Sequence, residues 1–143
     1  MASQARSAPG RRWHDPAVLE VDRRAFAGFW RFDRLALREA KTATPSRRFR
    51  VAKLGGEIVG YAVTGRAGQR GYLQRLAVDP AAQGRGVGSM LIHDSFDWLR
   101  QRGADETLVN TQETNEKALA LYERLGYRRQ ATGLLVLQWG GDP

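Results

Sequence analysis

Residues 73–89 read Leu73-Gln74-Arg75-Leu76-Ala77-Val78-Asp79-Pro80-Ala81-Ala82-Gln83-Gly84-Arg85-Gly86-Val87-Gly88-Ser89, and the rest of the chain can be placed around them. The first six have the composition of a β-strand, and Asp79-Pro80 ends it. Three glycines at alternate positions then lead into a run in which Val87, Leu91, Trp98 and Leu99 share one helical stripe. Gly103 is placed to cap that helix at its C-terminus. A helix begins with unpaired backbone N–H groups and the positive end of its dipole, and glycines there let an anion approach them. Arg85 adds a mobile cation. The turn is therefore expected to bind phosphate.

Two other phosphate loops fail on spacing. A P-loop needs Gly-Lys followed by Ser or Thr, and no such tripeptide occurs. A dinucleotide fingerprint begun at Gly84 needs glycine where Ser89 stands, and the strands upstream read as hairpins instead of a βαβ unit. The plainer reading is a glycine turn that only lets strand and helix pack closely.

Working outward, residues 49–54 and 57–64 read as strands joined by Gly55-Gly56, a hairpin signal. Residues 65–71 form a second turn before the strand at 72–78, giving an antiparallel meander. Upstream, Pro16 suits the first position of a helix in which Val18, Val21, Ala25, Phe26 and Phe29 recur at helical spacing. A second helix is expected over 32–41, ended by Pro45. Residues 1–12 read as a flexible leader, and 13–143 as one domain. Downstream, 107–111 reads as a strand, 115–125 as a helix ending at Gly126, and 134–139 as a last strand. The order predicts an α/β (α+β) class with a mixed central sheet and helices packed on it.

The run from Leu73 through Leu99 resembles the acetyl-CoA motif of the GNAT superfamily of N-acetyltransferases, Gln/Arg-x-x-Gly-x-Gly/Ala, with Gln83, Gly86 and Gly88 at its three fixed positions. The run from Asn115 to Tyr127 is similar to the family's second signature, Asn-x-x-Ala-x-x-x-Tyr-x-x-x-Gly-Phe/Tyr, with Asn115, Ala118, Tyr122, Gly126 and Tyr127 matching. The resemblance implies the GNAT fold, with its sheet splayed by a bulge at the acetyl-CoA site. It assigns the backbone of Leu76 and Val78 to the pantetheine arm and the amides of Gly84, Arg85, Gly86, Val87, Gly88 and Ser89 to the diphosphate. It also gives Asn115 a pantetheine contact, and the Val78 amide a role in polarising the thioester carbonyl. Asn115 equally suits the N-cap of its helix.

Tyr122 is the candidate general acid. A phenol has a reference pKa near 10 against about 8.5 for a thiol, so from its neutral form it can hydrogen-bond or protonate the departing sulfur. The bland reading of Tyr122 is a core aromatic in line with Ala118 and Leu125. A general base is harder to find: Tyr72, Gln74 and Asn110 stand where related enzymes carry Glu or His, and Glu113 is a weak candidate. The amine is then deprotonated through water or arrives neutral, which is easier for an α-amino group than for lysine. Phe26, Phe29, Trp30 and Phe32 cluster near the first helices and read mainly as core, with Tyr72, Gln74 and Trp139 on an opposite wall.

The chain of 143 residues has the length of one domain, and 42% hydrophobic with 27% charged residues is ordinary for a globular protein. No cysteine is present, so thiolate metal sites, disulfides and a cysteine nucleophile are excluded. With only His14 and His93, no metal site is expected. No run suits a membrane span or signal peptide, which predicts a cytoplasmic protein without a membrane partner. Residues 1–53 hold 13 Lys/Arg against 5 Asp/Glu, whereas 54–143 hold 10 of each, so the whole net charge of +8 lies in the first part. Such a basic part suits nucleic acid, an acidic protein or the phosphates of a cofactor, and a solvated arginine-rich surface is favoured over these.

The expected activity is transfer of an acetyl group from acetyl-CoA directly to a primary amine, of a small molecule or of a peptide or protein N-terminus. The acceptor's identity is open, as is a homodimer. The competing reading is a non-catalytic acyl-CoA-binding or regulatory domain of the same fold.

Overall fold

The computed structural model describes residues 4–110, 116–129 and 134–138. In chain order its elements are β1 (Arg6–Pro9), α1 (Asp15–Ala25), α2 (Arg34–Thr42), β2 (Ser46–Leu54), β3 (Glu57–Ala67), β4 (Arg70–Val78), α3 (Val87–Gln101), β5 (Glu106–Asn110), α4 (Glu116–Arg124), β6 (Arg128–Arg129) and β7 (Leu134–Gln138), with single 3₁₀ turns at Arg12–His14, Gly28–Trp30 and Pro80–Ala82. The strands form one sheet in the order β1-β2-β3-β4-β5-β7-β6. β1 to β4 run antiparallel, β4 and β5 are parallel, and β7 pairs antiparallel with both β5 and β6. This is the expected mixed sheet with its antiparallel meander.

Local sequence explains most of these elements. Gly55 and Gly56 take φ of 59° and 85°, the two positive values a two-residue type I′ hairpin needs between Leu54 and Glu57. Pro16 sits in the first turn of α1. Asp33 caps α2 by accepting the Ala36 amide at 2.8 Å.

The expectation of a flexible leader over 1–12 is corrected at its centre. Arg6–Pro9 lies on the edge of β2, with Arg6 opposite Lys53 and Pro9 opposite Arg50, and Gly10 continues the contact by donating to the Phe49 carbonyl at 2.8 Å. An edge strand is held by its backbone ladder, so it needs no alternating apolar pattern and leaves little trace in the sequence. An edge is also where proline is tolerated.

Each face of the sheet carries its own core. Val18, Val21 and Leu37 of the first two helices pack with Val51, Tyr61, Val63 and Ala77. Val87, Leu91, Ile92 and Phe96 of α3 and Leu119 and Tyr122 of α4 pack with Ala52, Ala62, Leu73 and Val109 on the other face. Thr64 and Ser95 bury their hydroxyls against each other at 2.6 Å, which satisfies both where α3 crosses β3.

The register between β3 and β4 shifts between Val63 opposite Arg75 and Thr64 opposite Leu73, leaving Gln74 as a bulge. The extra residue changes the phase of the strand. Leu73 and Leu76 both face α3, while Ala77 faces α1 and α2.

Gly71 shows how closely α3 lies on β4. A Cβ there would come within 2.6 Å of the Leu99 side chain, which is itself buried. Gly71→Ala is therefore expected to destabilise the fold by about 1–3 kcal/mol. A urea midpoint unchanged from the parent would contradict this packing. Among the described residues no helix is long and apolar enough to cross a membrane.

Candidate active site

A cleft of ≈ 420 Å³ opens at the C-terminal end of β4. Its walls are Leu76, Ala77 and Val78 of β4, the turn from Ala82 to Ser89 apart from Arg85, Leu121, Tyr122 and Arg124 of α4, and Ala25 and Phe26 at the end of α1. The opening follows from strand pairing. β4 and β5 are bonded only from Arg70 to Leu73 against Glu106 to Val109, and past the Gln74 bulge β4 keeps only β3 among the described residues.

That divergence leaves specific backbone groups without a strand partner among the described residues. The Asp79 amide donates to the Val59 carbonyl at 2.8 Å, and antiparallel ladders alternate bonded and non-bonded pairs. Ala77 opposite Tyr61 is then a bonded pair, whereas Leu76 opposite Ala62 and Val78 opposite Gly60 are not. The N–H and C=O groups of Leu76 and Val78 therefore point away from β3, into the gap where β5 has left.

The glycine turn forms the adjoining wall. Gly84 and Gly86 have φ of 83° and 77°, and a Cβ on either would meet nothing within 4 Å. Gly86 is the N-cap residue of α3, and no side chain caps the helix. The Met90 amide bonds to the Gly86 carbonyl at 3.0 Å, so the amides of Val87, Gly88 and Ser89 precede the first intrahelical bond and have no acceptor in the helix. Gly88 lies closer in, where a Cβ would sit 3.4 Å from Leu121 and 3.7 Å from Val78. The turn is held from behind by Asp79, which accepts the Ala81 amide and is bonded by Arg24 of α1, both at 3.0 Å. The donor set therefore fits a diphosphate: bare amides at the positive end of a helix dipole, with Arg124 among the residues that line the same cleft.

Tyr122 stands on the α4 side, 4% exposed, its ring packed edge-on against Tyr127 at 5.5 Å. Burial raises its phenol well above the ordinary value. The neighbouring Tyr127 adds to the rise, and the Arg75 charge opposes it. The group is thus a neutral proton donor throughout the physiological range. Burial likewise raises Tyr127 and Tyr61.

These three tyrosines have a consequence for stability. Below about pH 10 folded and unfolded chains both keep the phenol protons, so the contribution is intact. Above that, the unfolded chain releases protons that the folded chain retains, and stability falls by about 1.4 kcal/mol per pH unit for each tyrosine. Urea unfolding at increasing alkalinity should show a steep loss starting near pH 10, and a flat profile to about pH 11 would contradict it.

On the far side of β4 lies a buried ion pair with no counterpart among the sequence-based expectations. The Arg75 guanidinium bonds both carboxylate oxygens of Asp22 at 2.9 Å, Asp22 being 0% exposed. The Tyr61 hydroxyl donates to Asp22 at 2.6 Å and the Phe32 amide at 2.7 Å. Arg75 also bonds the Trp30 carbonyl at 2.7 Å and stacks on the rings of Phe26 and Phe32, each 3.8 Å away. This network pins the segment between the first two helices over the strand whose other edge opens into the cleft.

Of the residues singled out from sequence, Leu76, Val78, Gln83, Gly84, Gly86, Val87, Gly88, Ser89 and Tyr122 all line the cleft. Arg85 belongs to the turn but is not among its lining residues. Asn115, Glu113 and Trp139 lie outside the described residues. Arg124 lines the cleft without having been foreseen. Among the described lining residues there is no His, Asp or Glu. The aromatic cluster divides: Phe26 and Phe32 pack inward, while Phe29 is 88% and Trp30 48% exposed.

A parallel strand pair that opens beside an uncapped helix start, with a protonated tyrosine across the gap, is the architecture of an acyltransferase that uses a coenzyme A thioester. Residues 16–127 match the model of the Acetyltransferase (GNAT) family, and the chain belongs to that family, whose cosubstrate is acetyl-CoA. The mycothiol acetyltransferase of Thermomonospora curvata is 33% identical over 133 residues, 89% of this chain and 44% of that protein. The chain thus spans less than half the length of that relative. Its fold is similar to that of the ribosomal-protein-S18-alanine N-acetyltransferase from Escherichia coli (TM-score 0.83, 20% identity, 98% of this chain and 97% of the other). It is also similar to that of the PaiA N-acetyltransferase from Thermoplasma acidophilum in complex with coenzyme A (TM-score 0.80, 12% identity, 95% and 99%).

Proposed function

We propose that these residues act as a single N-acetyltransferase domain that transfers an acetyl group from acetyl-CoA directly to a primary amine. What supports the reading most is the uncapped start of α3 forming one wall of the cleft that Tyr122 lines from the other side. Acetyl-CoA, when bound, supplies a thioester open to attack by an amine. The amides of Val87, Gly88 and Ser89 hold its diphosphate, with Arg85 and Arg124 adding charge. The free backbone groups of Leu76 and Val78 align the pantetheine arm, and the Val78 amide donates to the carbonyl oxygen. Asn115 is kept as a further pantetheine contact. Tyr122 Oη holds the proton that the departing sulfur takes.

Direct transfer is favoured because the chain contains no cysteine to carry the acyl group. The incoming amine is neutral on arrival or loses its proton to water, so an α-amino group with a reference pKa near 8 is a better acceptor than lysine near 10.4. The rate should accordingly rise with pH up to the pKa of the amine, and a profile flat from about pH 6 to 9 would contradict an acceptor-limited step. We assign the protein to the cytoplasm on the same reading.

The test is incubation with acetyl-CoA and a panel of amines, following thiol release. The panel includes an acceptor of the mycothiol class, after the relative's name, and a peptide with an N-terminal alanine, after the structural neighbour's. Release with at least one amine supports the enzyme. Cofactor binding with no release from any of them supports a non-catalytic acyl-CoA-binding domain instead.

A further inference from the structure

Away from the cleft, a groove of ≈ 940 Å³ runs beside α2, and Arg12, Arg34, Arg38, Arg47 and Lys41 line it with Asp15 as the one acid. Arg34, Arg38 and Lys41 fall at i, i+4 and i+7, along one face of the helix. Asp15 is committed to Lys41 at 2.7 Å. None of the four arginine side chains has a hydrogen-bond or ion-pair partner among the described residues.

Of the other acids in residues 1–53, Glu39 on α2 does not line the groove, and three are used elsewhere. Glu20 pairs with Arg23 and Arg24, Asp22 with Arg75, and the Asp33 carboxylate caps α2. Four guanidiniums of one sign around one concavity repel each other and focus a positive field into it. That arrangement is relieved by a ligand carrying a series of anions. Guanidinium forks suit phosphate oxygens in pairs.

An aromatic group separates a nucleic acid from other polyanions. Trp13, next to Arg12, is 75% exposed, with His14 5.8 Å from its ring at a tilt. Trp13 is not itself among the lining residues, but an open indole one residue from a groove-lining arginine is a combination that takes unpaired bases, whose faces stack while the phosphates follow the charge. We propose that this groove binds single-stranded nucleic acid, with phosphates on Arg12, Arg34, Arg38 and Arg47 and a base on Trp13. The charge excess in residues 1–53 thereby has a shaped destination that composition alone did not reveal.

Fluorescence anisotropy with a labelled oligouridylate of about twelve nucleotides tests this on the full chain. Binding should weaken by about 50-fold between about 50 and about 200 mM salt, as four phosphate contacts require for a single strand. R34E/R38E/R47E should lose binding, and the milder Arg→Gln triple variant should weaken it strongly. Both should still bind coenzyme A as the parent does, which shows that they fold. Trp13→Ala should cost about tenfold. Oligothymidylate run in parallel tells whether the strand is RNA or DNA, and binding of either supports the proposal. The proposal is overturned by no binding at low salt, by polyglutamate or inorganic polyphosphate competing as well as the oligonucleotide, or by Trp13→Ala leaving affinity unchanged.

Discussion

Replacing Tyr122 by Phe is expected to lower kcat by about 100-fold or more while leaving coenzyme A affinity within about twofold. The ring stays, so its packing on Tyr127 and in the core of Leu91, Ile92 and Leu119 is kept. Only the hydroxyl of this cleft-lining residue is lost. Burial holds that phenol protonated, so in the parent the proton is always present when the sulfur departs. Without it, a thiolate must leave into a partly apolar site, which is the costlier path. Measuring kcat and cofactor Kd side by side separates the possibilities. Loss of both would mean a packing role, and loss of neither would remove Tyr122 from the chemistry.

The second large effect is expected at Arg75. Arg75→Met leaves the fully buried Asp22 carboxylate with the Tyr61 hydroxyl and Phe32 amide but no counter-charge. Removing one partner of a buried ion pair typically costs about 3–5 kcal/mol. Adding Asp22→Asn should recover much of the loss, because the amide oxygen can still accept from the Phe32 amide while its NH2 donates to the Tyr61 hydroxyl oxygen, and the stranded charge is gone. Urea unfolding of the two single variants and the double reads this directly. If the double variant is as unstable as the sum of the singles, the pair is not coupled in the way described. Because Phe26 both stacks on Arg75 and lines the cleft, the double variant should also change acceptor KM more than kcat.

How much of this was legible beforehand depended on how local the cause was. The turn at Gly84–Gly88 could be read because a positive φ, a bare helix start and an approaching anion all favour glycine at neighbouring positions. The Gly55-Gly56 hairpin could be read for the same reason. Tyr122 was found through a motif, and the structure adds the burial that keeps its phenol neutral. Arg6–Pro9 was missed because an edge strand needs only a backbone ladder. Arg75 was missed because its partners lie 45 and 53 residues away, and nothing in a strand of ordinary composition marks one arginine as an internal anchor. The aromatic run from Phe26 to Phe32 misled because helical spacing was extended past Ala25, where α1 ends. The following turn sends Phe29 and Trp30 outward. Arg124 was overlooked because only the fold brings the end of α4 to the glycine turn.

Cofactor binding at this site depends on the start of α3 taking the diphosphate of coenzyme A. Calorimetric titration of the folded chain with coenzyme A and, separately, with pantetheine, which lacks the diphosphate, tests it most directly. Two charge-assisted bonds to backbone amides are worth at least about 100-fold in affinity, so coenzyme A should bind and pantetheine should bind at least that much more weakly. Pantetheine binding as tightly as coenzyme A, or no heat of binding with coenzyme A at all, would contradict it.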